Sequence, residues 1–190
     1  MPNRGFLSTF AYMNILATLK NVNTFIFDMD GVLTDGKVTI VPYGAEPDYV
    51  MARSMHTKDG YAIQLAVKKG YTVAVISGGI YPGANKRFSQ LGIKHIFMGI
   101  TDKQSCLKAL AEKENINLQQ ALFMGDDIPD HQSMLLCGVK ACPADAVTEI
   151  KNISDYISPV KGGEGCVRDV IEKVLKLRSD WNFETKIASK

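Results

Sequence analysis

The sequence predicts an α/β fold: a doubly wound, Rossmann-like parallel sheet with helices on both faces and a projecting β-hairpin. Three observations carry this reading. Short apolar runs recur at Phe25-Ile26-Phe27, Thr72 to Ile76, Ile96-Phe97-Met98, Ala121 to Met124 and Val139 to Ala141, and such runs suit strands buried on both faces. Helical stretches of about ten residues separate them, as crossover connections require. Several runs stop at a carboxylate, a hydroxyl or a glycine: Asp28, Ser77-Gly78 and Gly125-Asp126-Asp127.

Taken in order, residues 1–23 form an N-terminal extension with a short helix from about Thr9 to Leu19. The main domain spans 24–177 and a polar tail 178–190. After the first strand, Gly36 to Val41 and Glu46 to Met51 are β-prone and joined by Pro42-Tyr43-Gly44-Ala45, which reads as a hairpin over about 36–51. A helix from Lys58 to Lys69 ends at Gly70, and the strand Thr72 to Ile76 follows. Next come a helix from Pro82 to Leu91, the strand at 96–98, a helix from Lys103 to Glu114 and the strand at 121–124. A helix from Pro129 to about Cys137, the strand at Val139, a short helix from Ala146 to Lys151 and a strand at Tyr156-Ile157 complete the sheet. The last helix, Cys166 to Leu177, carries Val167, Val170, Ile171, Val174 and Leu175 on one face.

Composition narrows the function. The 190 residues are 46% hydrophobic, with 22 basic against 20 acidic side chains. That gives a core of ordinary size and no basic surplus for nucleic acid or an anionic membrane. Cys106, Cys137, Cys142 and Cys166 show no CxxC pair or zinc spacing, so free thiols in a reducing cytoplasm are expected. No apolar run approaches the ~20 residues of a membrane span.

Parallel strands deliver the groups at their carboxyl ends to one rim. That rim would hold Asp28, Asp30, Ser77, Gly78, Lys103, Asp126 and Asp127. Crowded carboxylates favour a hard divalent cation, Mg²⁺ above all. Ser77 and the Gly78 amide precede a helix and offer an anion seat, and Lys103 adds a cation beside it. A carboxylate nucleophile, an acid/base partner, a metal and amide donors together suit phosphoryl transfer.

Asp28-x-Asp30-Gly-Val-Leu-Thr-Asp-Gly, Ser77-Gly78, Lys103 and Gly125-Asp126-Asp127-x-x-Asp130 resemble the ordered motifs of the haloacid dehalogenase (HAD) superfamily of phosphatases. Within it, DGVLTDG, Thr57-Lys58-Asp59-Gly60 and Gly162-Gly163-Glu164-Gly165-Cys166-Val167-Arg168-Asp169 resemble the capless 3-deoxy-D-manno-octulosonate 8-phosphate phosphatases. The resemblance implies a HAD-type fold and residue roles. Asp28 would be nucleophile and metal ligand, Asp30 acid/base with its carbonyl on the metal, and Asp126 the third ligand. Ser77, Gly78 and Lys103 would bind phosphate. His56, Thr57, Lys58, Asp59, Gly60 and Arg87 would contact substrate, with Asp127, Asp130 and Arg168 in support. It also implies a homotetramer with packed hairpins and a phosphorylated keto sugar acid as substrate.

The sequence departs from that family's pattern at four places. Gly79, Lys58 and Gln64 stand where arginine is frequent, and Glu164 where a basic residue is common. Gly79 and Gln64 therefore join the substrate-contacting set, and a nine-carbon nonulosonate 9-phosphate is the alternative substrate. A non-catalytic phosphate-sensing module is the reading from another class, opposed by the intact Asp30.

Overall fold

The computed structural model describes residues 15–44 and 48–182. Its strands are β1 (Thr24–Phe27), β2 (Thr39–Pro42), β3 (Tyr49–Ala52), β4 (Thr72–Ile76), β5 (His95–Phe97), β6 (Ala121–Met124), β7 (Val139–Cys142) and β8 (Tyr156–Ile157). Its helices are α1 (15–20), α2 (Thr57–Lys68), α3 (Pro82–Gln90), α4 (Lys103–Lys113), α5 (His131–Met134), α6 (Thr148–Ile153) and α7 (Cys166–Leu177). Six strands form one sheet in the order β5-β4-β1-β6-β7-β8, every neighbouring pair parallel. The chain lays down β1, β4 and β5 in one direction, then returns to place β6, β7 and β8 on the other side of β1. The order reverses between β1 and β6, and such a reversal opens a crevice at the carboxyl ends of the strands.

Strand alternation sorts the core into two layers. Phe25 and Phe27 pack with Val73, Val75, Leu122 and Met124 under α2, α3 and α7. Ile26 turns the other way, with Ala74, Ile76 and Phe123, against α4, α5 and α6. Every residue of β1 and β6 is buried. The apolar face of α7, from Val167 to Leu175, is fully covered as its periodicity requires.

The hairpin is a separate antiparallel pair, and all eight of its strand residues are exposed. Both strands begin three residues later and end one residue later than the sequence predicts, and residues 45–47 fall outside the described set. Only 15–20 of the expected leading helix is described. The helix expected from Pro129 to Cys137 is far shorter: a 3₁₀ turn at Ile128–Asp130 and the single turn of α5. Two tertiary bonds override local preference there. Asp130 turns inward to Lys103, and Gly138 N donates to Leu118 O at 2.8 Å, ending the helix early. Helix α6 starts two residues later than expected. All four cysteines are free, three of them buried. Among the described residues no helix is long and apolar enough to cross a membrane.

The Gly162-Gly163 segment braces the loop after β1. A Cβ on Gly162 would stand 1.9 Å from Gly31 O, so only glycine permits the approach. Gly163 N donates to Val32 O at 3.0 Å, and Cys166 Sγ reaches the same carbonyl at 3.3 Å. Nearby, Asp59 joins α2 to α7 by accepting the Arg168 amide at 2.6 Å, while its Oδ2 is buried with no hydrogen-bond partner among the described residues.

Burial raises the Asp59 pKa to about 6, against the lowering effect of the Arg168 amide and charge. The folded state therefore binds this proton more tightly than the unfolded chain does. Its stabilising contribution is full below about pH 4 and is lost as pH rises through about 6. Asp59→Asn keeps the acceptor for Arg168 and removes the charge. Its stability relative to the parent, read by urea unfolding, is expected to rise by roughly 2 kcal/mol between pH 4 and 7. A difference constant with pH would contradict this.

Candidate active site

Each group at the rim is set by a local device. β1 continues its ladder one residue further, with Asp28 N donating to Met124 O at 3.0 Å, and this fixes the Asp28 side chain beside β6. The chain then makes a tight loop over Met29–Leu33, closed by Thr34 N on Met29 O at 2.9 Å. Gly31 turns the loop with φ +84°, and a Cβ there would lie 2.0 Å from Asp126 Oδ2. The missing side chain at 31 is the space Asp126 occupies. At the start of α4, Asp102 accepts the Ser105 amide at 2.9 Å, and this N-cap holds Lys103 as the first helical residue. Ser77 follows β4, is buried, and accepts the Gly79 amide at 3.2 Å through its hydroxyl.

The outcome is a cavity of about 490 Å³ lined by Asp28, Asp30, Ser77, Gly78, Gly79, Lys103, Asp126, Asp127 and Asp130. Lys103 Nζ donates to Asp28 Oδ1 and to Asp130 Oδ1, both at 2.7 Å. All three of these side chains are buried. The Asp126 amide donates to the second oxygen of Asp130 at 3.2 Å. Asp30, a third exposed, accepts from Thr34 Oγ1 at 3.3 Å and from Arg53 Nε at 2.9 Å. Asp127 is exposed and caps its own turn through the Ile128 amide.

Charge is unbalanced in this cavity. Oxygens of Asp28, Asp126 and Asp130 lie within 4.8 Å of one another, and among the described residues Lys103 is the one ammonium bonded into the group. Burial raises the Asp28 pKa to about 7, helped by the Asp130 charge and opposed by Lys103. Asp126 rises to about 8, through burial and then the charges of Asp28, Asp130 and Asp127. Burial also raises Asp130, against Lys103. Burial disfavours the Lys103 ammonium, yet the charges of Asp130 and Asp28 outweigh it and its pKa rises. Asp126 Oδ1 is buried and has no hydrogen-bond partner among the described residues. The carboxylates of Asp28 and Asp126, the latter with an unused oxygen and with Asp130 beside them, suit a hard divalent cation. A carboxylate beside an ammonium, a hydroxyl and amides is also the constellation for attack on a phosphoryl group.

The other residues singled out in the sequence lie elsewhere in the chain. His56, Lys58 and Arg168 line a different cavity of about 520 Å³ between the start of α2 and α7. His56 caps α2 by accepting the Lys58 amide at 3.2 Å. Thr57 is exposed, Gln64 is half-buried on α2, and Asp59 and Gly60 are buried. Arg87 lines a third cavity, beneath the hairpin, and its Nη2 lies 2.9 Å from where a Cβ of Gly60 would be. Two residues at the rim were missed in the sequence reading: Arg53, which holds Asp30, and Tyr81, which accepts from Arg53. The available signal was an arginine directly after an apolar hairpin strand.

No protein-family model matches the chain. Among known proteins it is 32% identical over 158 residues to the 3-deoxy-D-manno-octulosonate 8-phosphate phosphatase KdsC of Haemophilus influenzae. That match covers 83% of this chain and 85% of the relative. The fold is similar to the crystal structure of the Moraxella catarrhalis phosphatase of that name, in complex with magnesium, phosphate and KDO. There the TM-score is 0.82 and the identity 30%, over 88% of this chain and 94% of that one. A Legionella pneumophila hydrolase assigned to the HAD superfamily, subfamily III A, gives a TM-score of 0.85 at 27% identity, over 92% and 93% of the two chains. With an acid-lined crevice at the switch point and relatives matched over most of their length, the chain belongs to the 3-deoxy-D-manno-octulosonate 8-phosphate phosphatase family of the HAD superfamily.

Proposed function

We propose that the chain is a Mg²⁺-dependent phosphatase that hydrolyses 3-deoxy-D-manno-octulosonate 8-phosphate to the free sugar acid and phosphate. The observation that carries this reading is the Lys103 ammonium bonded at once to Asp28 and Asp130 beside Asp126. The activity of the relatives supports the choice of substrate.

In this reading an Asp28 oxygen attacks phosphorus in line, and the bond from phosphorus to the sugar oxygen breaks. Ser77 Oγ, the Gly78 amide and Lys103 Nζ hold the phosphoryl oxygens as charge builds on them. Asp130 anchors Lys103 from behind, so the ammonium keeps a partner when Asp28 turns to phosphorus. Asp30 gives its proton to the leaving alkoxide. It then takes one from the water that opens the aspartyl-phosphate and releases phosphate. The carboxylates of Asp28 and Asp126 and the main-chain carbonyl of Asp30 would hold Mg²⁺, with Asp127 and Asp130 in support. Mg²⁺, when bound, neutralises charge on the phosphoryl oxygens as a Lewis acid.

A homotetramer belongs to the same reading. Val38, Ile40, Val41, Tyr43, Tyr49, Val50 and Met51 are all exposed on the hairpin, between 45% and 71%. Two strands alone are marginal in water, and an apolar ribbon of this kind suits burial against further copies. His56, Lys58, Gln64 and Arg168 lie outside the acid cavity of their own protomer, which fits contacts to a substrate held by a neighbour. The free cysteines fit a reducing compartment, the cytoplasm.

Three outcomes are expected. Asp28→Asn should keep the circular dichroism of the parent and lose phosphate release by at least about 10³-fold, and EDTA should silence the parent reversibly. Substantial turnover in Asp28→Asn would contradict the reading. Comparison of the octulosonate 8-phosphate with nonulosonate 9-phosphates and hexose phosphates fixes the sugar. In sedimentation equilibrium the chain should weigh as four copies, and a monomer would contradict the assembly.

A further inference from the structure

Arg53 leaves the hairpin one residue past β3, and its side chain is only 9% exposed. Its Nε donates to Asp30 Oδ1 at 2.9 Å. Its Nη2 donates to the Tyr81 hydroxyl, and its central carbon lies 3.5 Å from the Tyr81 ring centroid. The third nitrogen, Nη1, is buried and has no hydrogen-bond partner among the described residues. Guanidinium donors sit in a rigid planar fork, so the two bonds already made fix where the Nη1 donors point. Idle donors on a buried cation call for an acceptor supplied from outside the protomer.

Arg53 stands where two cavities adjoin. Asp30, its partner, lines the carboxylate cavity. Arg53 itself lines the neighbouring one, about 700 Å³ between the hairpin and α3, with Met29, Tyr49, Tyr81 and Arg87. Tyr81 keeps the guanidinium in place, and it depends on Gly79: a Cβ there would stand 2.1 Å from the Tyr81 ring. The bare backbone at 79 thus makes room for the ring that supports Arg53.

We propose that Arg53 is a specificity-determining residue that reads the carboxylate of the substrate. With phosphate at the carboxylate cavity, the organic part extends into the hairpin cavity. The Nη1 donors take an anionic oxygen of its acid group while Nε keeps Asp30 in position. Arg87, on the same wall, adds a second positive charge to that cavity. This inference rests on the phosphatase reading above and names the group that selects an acid over a neutral sugar.

The test compares octulosonate 8-phosphate with p-nitrophenyl phosphate, an ester with no carboxylate, on the parent, Arg53→Met and Arg53→Lys. Both esters need Asp30, and only the first offers a carboxylate to Nη1. Arg53→Met is expected to lose roughly 10- to 100-fold more kcat/KM on the sugar acid ester, chiefly through KM. Arg53→Lys should recover part of that difference. Equal losses on the two esters would overturn the proposal and leave Arg53 a positioning residue for Asp30. Should the variants not fold, inhibition of the parent by free octulosonate and by its carboxamide decides. The carboxamide is expected to inhibit roughly tenfold or more weakly, and equal inhibition would overturn the proposal. A parent inactive on both esters would instead remove the phosphatase reading, and this inference with it.

Discussion

Crowding of like charge at the carboxyl ends of β1 and β6 is the constraint on which the rest of this structure depends. Asp28, Asp126 and Asp130 bring oxygens within 4.8 Å of one another, mostly out of water, against the single ammonium of Lys103. Left alone, such a group shifts its pKa values upward and costs stability. The fold nonetheless builds it from several sides. Gly31 clears space for Asp126, Asp102 caps the helix that presents Lys103, and a 3₁₀ turn replaces a longer helix so that Asp130 points inward. At Ile128–Met134 the local preference for a longer helix gives way to the bond from Asp130 to Lys103. That pattern marks a site held against its own repulsion for the sake of a cation and an anion.

The surroundings divide the work among separate elements. The sheet and its two core layers give a rigid rim, and the Gly162-Gly163 segment braces the loop that carries Asp30. The hairpin contributes little packing of its own, and its strand residues are exposed. Its exit nevertheless supplies Arg53, which touches Asp30 directly. The exit of the hairpin is therefore tied to the acid cavity by the Arg53–Asp30 ion pair, while its apolar faces are left for other surfaces.

Much of this was legible in the sequence. Apolar runs broken at Asp28, Ser77 and Asp126 gave the strands and the rim, because buried parallel strands have a distinctive composition and their ends must lie together. The face of α7 followed from periodicity alone. The short α5 was not legible, since its end is set by Asp130 reaching Lys103 and by Gly138 reaching Leu118, both tertiary bonds. Arg53 was missed for the same reason. It is distant in sequence from Asp30 and Tyr81, and no local pattern joins them. His56, Lys58 and Arg168 carry recognisable motifs, yet within one chain they line a different cavity from the acids, a separation that spacing does not reveal.

Magnesium binding by calorimetry, paired with thermal unfolding, tests the central claim most directly when the parent is compared with Asp126→Asn. The account requires one ion per chain in the parent and a melting temperature that rises with added Mg²⁺. In Asp126→Asn it requires a higher melting temperature than the parent without metal, because a crowded carboxyl is no longer held against its normal ionisation, and no further rise with Mg²⁺. A variant that binds Mg²⁺ as the parent does, or is less stable than the parent without it, would contradict the account.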